Sequence, residues 1–293
     1  MAVHDPEPSQ TPFIKNLASS NAKLCSQSLA ALQAYLSTRT RLTDIEAARL
    51  WTGLFWALWM ADGAPRQAKL AHELADLVFP LARPEHAVHE AQDSALSHDA
   101  ATPARRTAAT PPPKDAARHD SQSPDPSSHD VATTWLRAGW SVLSTNWSRI
   151  DALRIDKFLL LARRLLAAHL GLLLHRLHPP LIHVLRSHVL DVADETCVAL
   201  GLRLHILDIW VDELARIGAL DPSSSAHVLH QDDHGHWSGL ARVVADAVDE
   251  LASSPVKSVR VRAEESSRDD RLPWLGVETV MDDGDNGWDG FED

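Results

Sequence analysis

The stretch Leu50-Trp51-Thr52-Gly53-Leu54-Phe55-Trp56-Ala57-Leu58-Trp59-Met60-Ala61-Asp62 decides the fold class. Trp51, Leu54, Phe55, Leu58 and Trp59 recur three and four apart, which places them on one face of an α-helix. Trp56 and Met60 widen that apolar stripe, so the helix is expected to be covered on more than one side. Thr43-Asp44-Ile45-Glu46 marks its start as a capping box, in which Thr43 and Glu46 each satisfy the other's backbone N–H. Asp62-Gly63 ends it, and Pro65 suits the first turn of a following helix.

The same period extends in both directions. Residues 21–38 carry Leu24, Leu29, Leu32 and Leu36; residues 68–78 carry Leu70, Leu74, Leu77 and Val78. The pattern resumes at Thr133 or Thr134 with Trp135, Leu136, Gly139, Trp140, Leu143 and Trp147. Asp151 is expected to cap a long helix bearing Ile155, Phe158, Leu159, Ala162, Leu165, Leu166, Leu170 and Leu173, which His178-Pro179-Pro180 terminates. Residues 181–200, then 202–217 with Gly218 at the C′ position, then about 240–251, read as three more helices. Val256, Val259 and Val261 are spaced too irregularly for a strand. The fold class implied is all-α: antiparallel helix pairs joined by short turns in a curved, HEAT-like helical-repeat array.

Composition agrees. The chain has 293 residues, 44% of them hydrophobic and 23% charged, enough for a sizeable core. Ten Trp stand against five Phe and one Tyr, with long Leu/Ala runs, a poor match to β-rich classes. Two cysteines, Cys25 and Cys197, cannot build a disulfide framework or a closed zinc site, which fits a reducing compartment. The polar, Pro-containing start has no apolar signal core, and Arg163, Arg164 and His169 interrupt the most apolar run.

Composition also sets the expected organisation. Residues 1–11 read as a flexible N-terminus and 12–83 as the first helical part. Residues 84–132 are dominated by Pro, Ala, Ser, Asp and His and read as a disordered insertion. Residues 133–263 continue the same domain, and 264–293 form an acidic tail. Eleven acidic and two basic residues from Glu264 onward carry −9 of the net charge of −12. That tail reads as a solubilising end or, through Trp288 and Phe291, as a short docking motif.

Catalytic signatures are missing: no Gly-rich phosphate loop, no dinucleotide fingerprint, no nucleophile elbow, no paired Cys-x-x-Cys. His230, Asp232, Asp233, His234 and His236 are of metal-ligand type. They read as a solvated loop, with a metal-dependent hydrolase as the alternative. A basic ridge is a better lead. Arg149, Arg154, Lys157 and Arg164 lie among helical residues where phosphate could be met, although pairs such as Asp151 with Arg154 would equally make an internally neutralised face. Lys257, Arg260 and Arg262 form a second basic group.

Two blocks carry a family likeness. Residues 50–62 resemble the W-x-G-L-F-x-x-M-W-M-x-D signature of the eukaryotic ribosomal RNA-processing protein 1 (nucleolar protein 52) family. The block Trp147-Ser148-Arg149-Ile150-Asp151-Ala152-Leu153-Arg154-Ile155-Asp156-Lys157-Phe158 resembles its W-x-x-I-D-x-x-R-x-D-K-F element. Residues 201–218, 256–262 and 272–274 are similar to later segments, in fungal-type members especially. The resemblance implies a non-enzymatic nucleolar protein of the nucleus, without cofactor, membrane or small-molecule substrate. It would act as a helical scaffold in preribosomal particles, with particle proteins and pre-rRNA as partners, chiefly towards the large subunit. A cytoplasmic helical adaptor is the other alternative. The signature core would comprise Trp51, Gly53, Leu54, Phe55, Trp59, Asp62, Trp147, Asp151, Asp156 and Phe158. Ile150, Leu153 and Phe158 would face the interior, leaving Arg154 and Lys157 to meet phosphate or an acidic partner.

Overall fold

The computed structural model describes residues 16–17, 19, 21–82, 130–175, 177–193, 198–221, 230–232 and 237–275. The expected flexible N-terminus, the insertion up to residue 129 and the acidic tail beyond 275 lie outside them.

Helix α1 spans Ala22–Ser37, with the Asn21 side chain accepting from the N–H groups of Lys23 and Leu24. Helix α2, Asp44–Trp59, starts on the capping box that the sequence announces. Hydrogen bonds from the Thr43 backbone and hydroxyl hold the Glu46 carboxyl below its usual pKa. Helix α3, Ala64–Asp76, follows Gly63, whose φ of +79° no side chain would favour. A 3₁₀ turn, Phe79–Ala82, closes this part.

Helix α4, Val131–Asn146, begins before Thr133 because Asp130 accepts from the N–H groups of Ala132 and Thr133. After a 3₁₀ turn at Trp147–Arg149, helix α5 runs from Ile155 to His175. Asp151 caps the turn ahead of α5 rather than the helix itself: its side chain accepts from the Leu153 N–H at 3.1 Å.

Helix α6, Pro179–His188, is half the length expected of residues 181–200. Val189 leaves the helical region, and it and Leu190 turn fully into the core. Helix α7, Leu200–Arg216, ends at Gly218 with φ +77°, where the Ala219 N–H donates to Leu214 O at 2.9 Å. A two-residue antiparallel pairing of His230–Gln231 with Trp237–Ser238 is the one strand contact among the described residues. Helix α8, Leu240–Glu250, and helix α9, Lys257–Ser266, complete the order. The expected tail boundary at 264 falls inside α9, and packing continues to Leu272, which is buried.

The helices form two layers. In one, α2 packs on α4 and α4 on α6; in the other, α3 packs on α5, α5 on α7, and α7 on α9. One continuous apolar cluster runs through both, from Leu17 to Leu272. Helix α5, with 21 residues and a mean hydropathy of 1.5, is long and apolar enough to span a bilayer. Its apolarity has another use here, because it lies between α3 and α7 with Phe158, Leu161, Leu165, Leu166 and Leu173 buried.

Close approach sets the α2–α4 contact. The Trp51 and Trp135 rings lie 5.1 Å apart. A Cβ on Gly139 would come within 2.8 Å of the Trp51 ring, which is itself enclosed. Gly139→Ala is therefore expected to destabilise the chain by about 1–3 kcal/mol through overpacking, read by urea unfolding. A neutral result would show that the indole can shift.

A buried histidine joins α4, α5 and α6. His169 is fully enclosed; its Nδ1 accepts from Trp140 Nε1 at 3.3 Å and its Nε2 faces Leu181 O at 2.9 Å. An indole N–H can only donate, so Nδ1 is the acceptor and Nε2 carries the proton. Protonating Nδ1 would set two donors against each other, and burial pushes the pKa down to about 4. The unfolded chain takes up this proton first as pH falls. The stability contributed by neutral His169 is thus whole above about pH 6.5 and lost towards pH 4, a change of about 3 kcal/mol. The stability gap between the native chain and His169→Gln should narrow over that interval in urea titrations; a constant gap would contradict this account.

Candidate functional site

The two blocks quoted from the sequence meet in space. The end of α2 abuts the turn before α5 and the first turn of α5. Phe55 stacks on Phe158 at 4.6 Å between ring centroids. Trp59, only partly buried, contacts Phe55, Trp56 and Phe158 at 6.0, 5.3 and 6.1 Å. The Arg154 guanidinium covers its outer face at 4.9 Å, within cation–π range. Asp151 holds Arg154 by an ion pair.

This arrangement displays rather than conceals apolar groups. Leu153 is 93% exposed, Met60 59% and Trp56 39%; Trp56 contacts Trp59, Met60 follows Trp59 in the chain and Leu153 precedes Arg154. The expectation that Leu153 faces the core is corrected. Its turn is pinned by the Asp151 side chain on one side and by Arg154 on Trp59 on the other, which points residue 153 to solvent.

Lys157 is also corrected. It is buried, and its Nζ donates to Trp59 O at 2.7 Å and Ala61 O at 2.9 Å. It caps the C-terminal end of α2, where carbonyls lack helical partners and a positive charge is favoured. Burial, and then the neighbouring Arg154, pull its pKa below the usual lysine value. An ammonium so engaged is not available to phosphate.

The other cations differ in what they are free to do. Arg149 is exposed, with a long 3.5 Å contact to Asn146. Arg260 donates to the carbonyls of Ser254 and Pro255, and Arg262 pairs with Asp208 at 2.6 Å, tying α9 to α7. Lys257 is exposed at the start of α9. Arg164 lines a groove beside α3. Of the signature residues, Trp51, Gly53, Leu54, Phe55, Trp147 and Phe158 are buried, and Asp62, Asp151 and Asp156 are exposed. Trp147 requires Gly201, whose Cβ would sit 2.6 Å from the indole nitrogen. Of the proposed metal cluster, Asp233, His234 and His236 lie outside the described residues; among the described residues no three His, Cys, Asp or Glu gather as a metal would need.

The profile of the family described as "Nucleolar protein, Nop52" matches residues 8–286. The chain belongs to the Nop52 family. It is 25% identical over 222 residues to human Ribosomal RNA processing protein 1 homolog B, covering 72% of this chain and 23% of that protein. With the mouse homolog A it shares 24% over 226 residues, 74% of this chain and 36% of that one. With the mouse homolog B it shares 22% over 275 residues, 87% and 32%. The chain thus spans well under half the length of these relatives. Membership in a family of nucleolar proteins sets aside the cytoplasmic adaptor.

In this Nop52-family chain the sequence pattern missed Leu153 and Met60 as displayed groups, because helical period alone assigns both to an apolar face. It also missed Arg163, which pairs with Glu213 at 2.6 Å and Asp212 at 3.1 Å across α5 and α7. No local signal could reveal a partner 50 residues away.

The two blocks predict a split between neighbours. Lys157→Met should lower stability by about 2–3 kcal/mol, since it strips a charged donor from the Trp59 and Ala61 carbonyls. Arg154→Gln should cost less than about 1 kcal/mol. Equal losses in urea unfolding would mean that the Arg154 cover contributes as much as the Lys157 cap to holding α2 on α5.

Proposed function

We propose that the protein is a non-enzymatic ribosome-assembly factor: a helical scaffold in preribosomal particles, required for pre-rRNA processing and chiefly for the large subunit. Family membership supports the ribosome-biogenesis setting, and the family is not one of known enzymes. The docking reading rests on one observation. The two blocks that carry the family likeness converge on a surface where Trp56, Met60 and Leu153 are exposed around a guanidinium lying on Trp59.

Scattered exposed apolar residues need no explanation, but a group of large ones around an aromatic–Arg pair has the make-up of a protein–protein hot spot. Arg149 and Arg154 border it and would steer it to an acidic partner or to RNA phosphate. Lys257, Arg260 and Arg262, at the opposite end of the array, would form a second, weaker contact.

Leu153→Asp tests this. The substitution is at a solvent-facing turn, so helicity and thermal unfolding should be unchanged. Co-sedimentation with large-subunit precursors should fall at least tenfold, and precursor RNA should accumulate. A variant that stays with the precursors and supports processing would overturn the docking assignment. A variant that unfolds would show that Leu153 packs on the body.

A further inference from the structure

A groove lies two turns along α5 from Lys157, where α3, α5 and the end of α7 meet. It has a volume of about 200 Å³ and is lined by His72, Asp76, Phe79, Arg164, Arg216 and small residues of α5 that include Gly171. That is below the roughly 300 Å³ at which pockets for whole small-molecule ligands begin. Its occupant would be one unit of a longer chain.

The chemistry of the walls is uneven. Arg164 is half-buried and makes no ion pair or hydrogen bond with any described residue. Arg216 is already oriented: its Nε and Nη2 reach the buried carboxylate of Glu213 at 2.7 and 2.6 Å, leaving Nη1 directed elsewhere. Two guanidinium groups, one unneutralised and one pre-set, suit a tetrahedral oxyanion. Phe79 is 42% exposed at the edge of the same groove, an uncovered aromatic face beside cations. Asp76 is held by His72 Nδ1 at 2.8 Å, and its other oxygen is an acceptor in the wall.

We infer that this groove binds one nucleotide of a single-stranded RNA. Arg164 and Arg216 take the phosphate, Phe79 stacks a base, and the Asp76 carboxylate accepts from the ribose 2′-hydroxyl. Stacking on an aromatic ring beside arginines is how unpaired bases are commonly held, and the 2′-hydroxyl distinguishes RNA from DNA. An acidic peptide would satisfy the arginines but would leave both the Phe79 ring and the Asp76 acceptor unused. The inference deepens the preribosomal reading by naming the nucleic acid and the residues that touch it. It does not depend on the Trp56–Leu153 surface.

Fluorescence anisotropy of a short labelled single-stranded RNA, titrated with the full chain, tests it. Arg164→Gln and Phe79→Ala should each weaken binding about tenfold. Arg164→Gln should also reduce the slope of log affinity against log salt by about 0.7, the loss of one phosphate contact on a single strand. Asp76→Asn should erase the preference for RNA over DNA of the same sequence. Ala167→Glu, which puts a carboxylate into the groove from a surface position of α5, serves as a second block should Phe79→Ala fail to fold. The loss caused by Arg164→Gln should be the same in a Leu153→Asp background, which separates this site from the Trp56–Leu153 surface. Unchanged affinity in both Arg164→Gln and Ala167→Glu overturns the site. Binding of a poly-glutamate peptide with no measurable RNA binding reassigns the groove to an acidic protein and also overturns it.

Discussion

One ammonium group joins the two separated parts of this chain. Lys157 Nζ, on α5, donates to the carbonyls of Trp59 and Ala61 at the end of α2, almost a hundred residues earlier in sequence. A buried lysine is costly unless its donors find oxygen, and a helix C-terminus is costly to bury unless its carbonyls find donors. Each solves the other's problem. With that junction made, Phe55 stacks on Phe158, Trp59 lies under Arg154, and the turn carrying Leu153 points outward. The displayed surface follows from the buried contact.

Elsewhere the array uses the same device, a polar group that joins neighbouring helices while satisfying what burial would leave unpaired. His169 supplies the acceptor for the Trp140 indole and donates to Leu181 O, linking α4, α5 and α6. The buried Glu213 carboxylate takes Arg163 from α5 and Arg216 from its own helix. The indole N–H groups of Trp51, Trp135 and Trp210 find no acceptor among the described residues. Those rings are retained for apolar area and for fit against small residues such as Gly139. The exposed Trp56–Leu153 surface is built from the end of α2 and the turn before α5, and the groove from α3, α5 and the end of α7.

Much of the architecture was legible in the sequence because it is local. The Thr43–Glu46 box, the Gly218 stop and the stripes of α2, α5 and α7 depend on residues three or four apart, and all appear in the structure. The misreadings arise where the controlling contact is distant. Period placed Leu153 inside, and charge placed Lys157 outside. Both were reversed by the way α2 ends against α5. The helix expected through residue 200 stops at His188 because Val189 and Leu190 are drawn into the core, a demand made by helices elsewhere in the chain.

Residue pattern and the two signature blocks by themselves determined the all-α class, the helix-pair organisation and the family. These follow from hydrogen bonds within a helix, from apolar periodicity and from local residue identity, all written within a few positions of one another. Only the tertiary structure decided which charges are tools of folding and which remain for partners. A side chain's solvation is set by whatever packs against it. Lys157 and Arg164 stand seven residues apart on one helix, yet the first is met by the carbonyls of α2 and the second by an open groove.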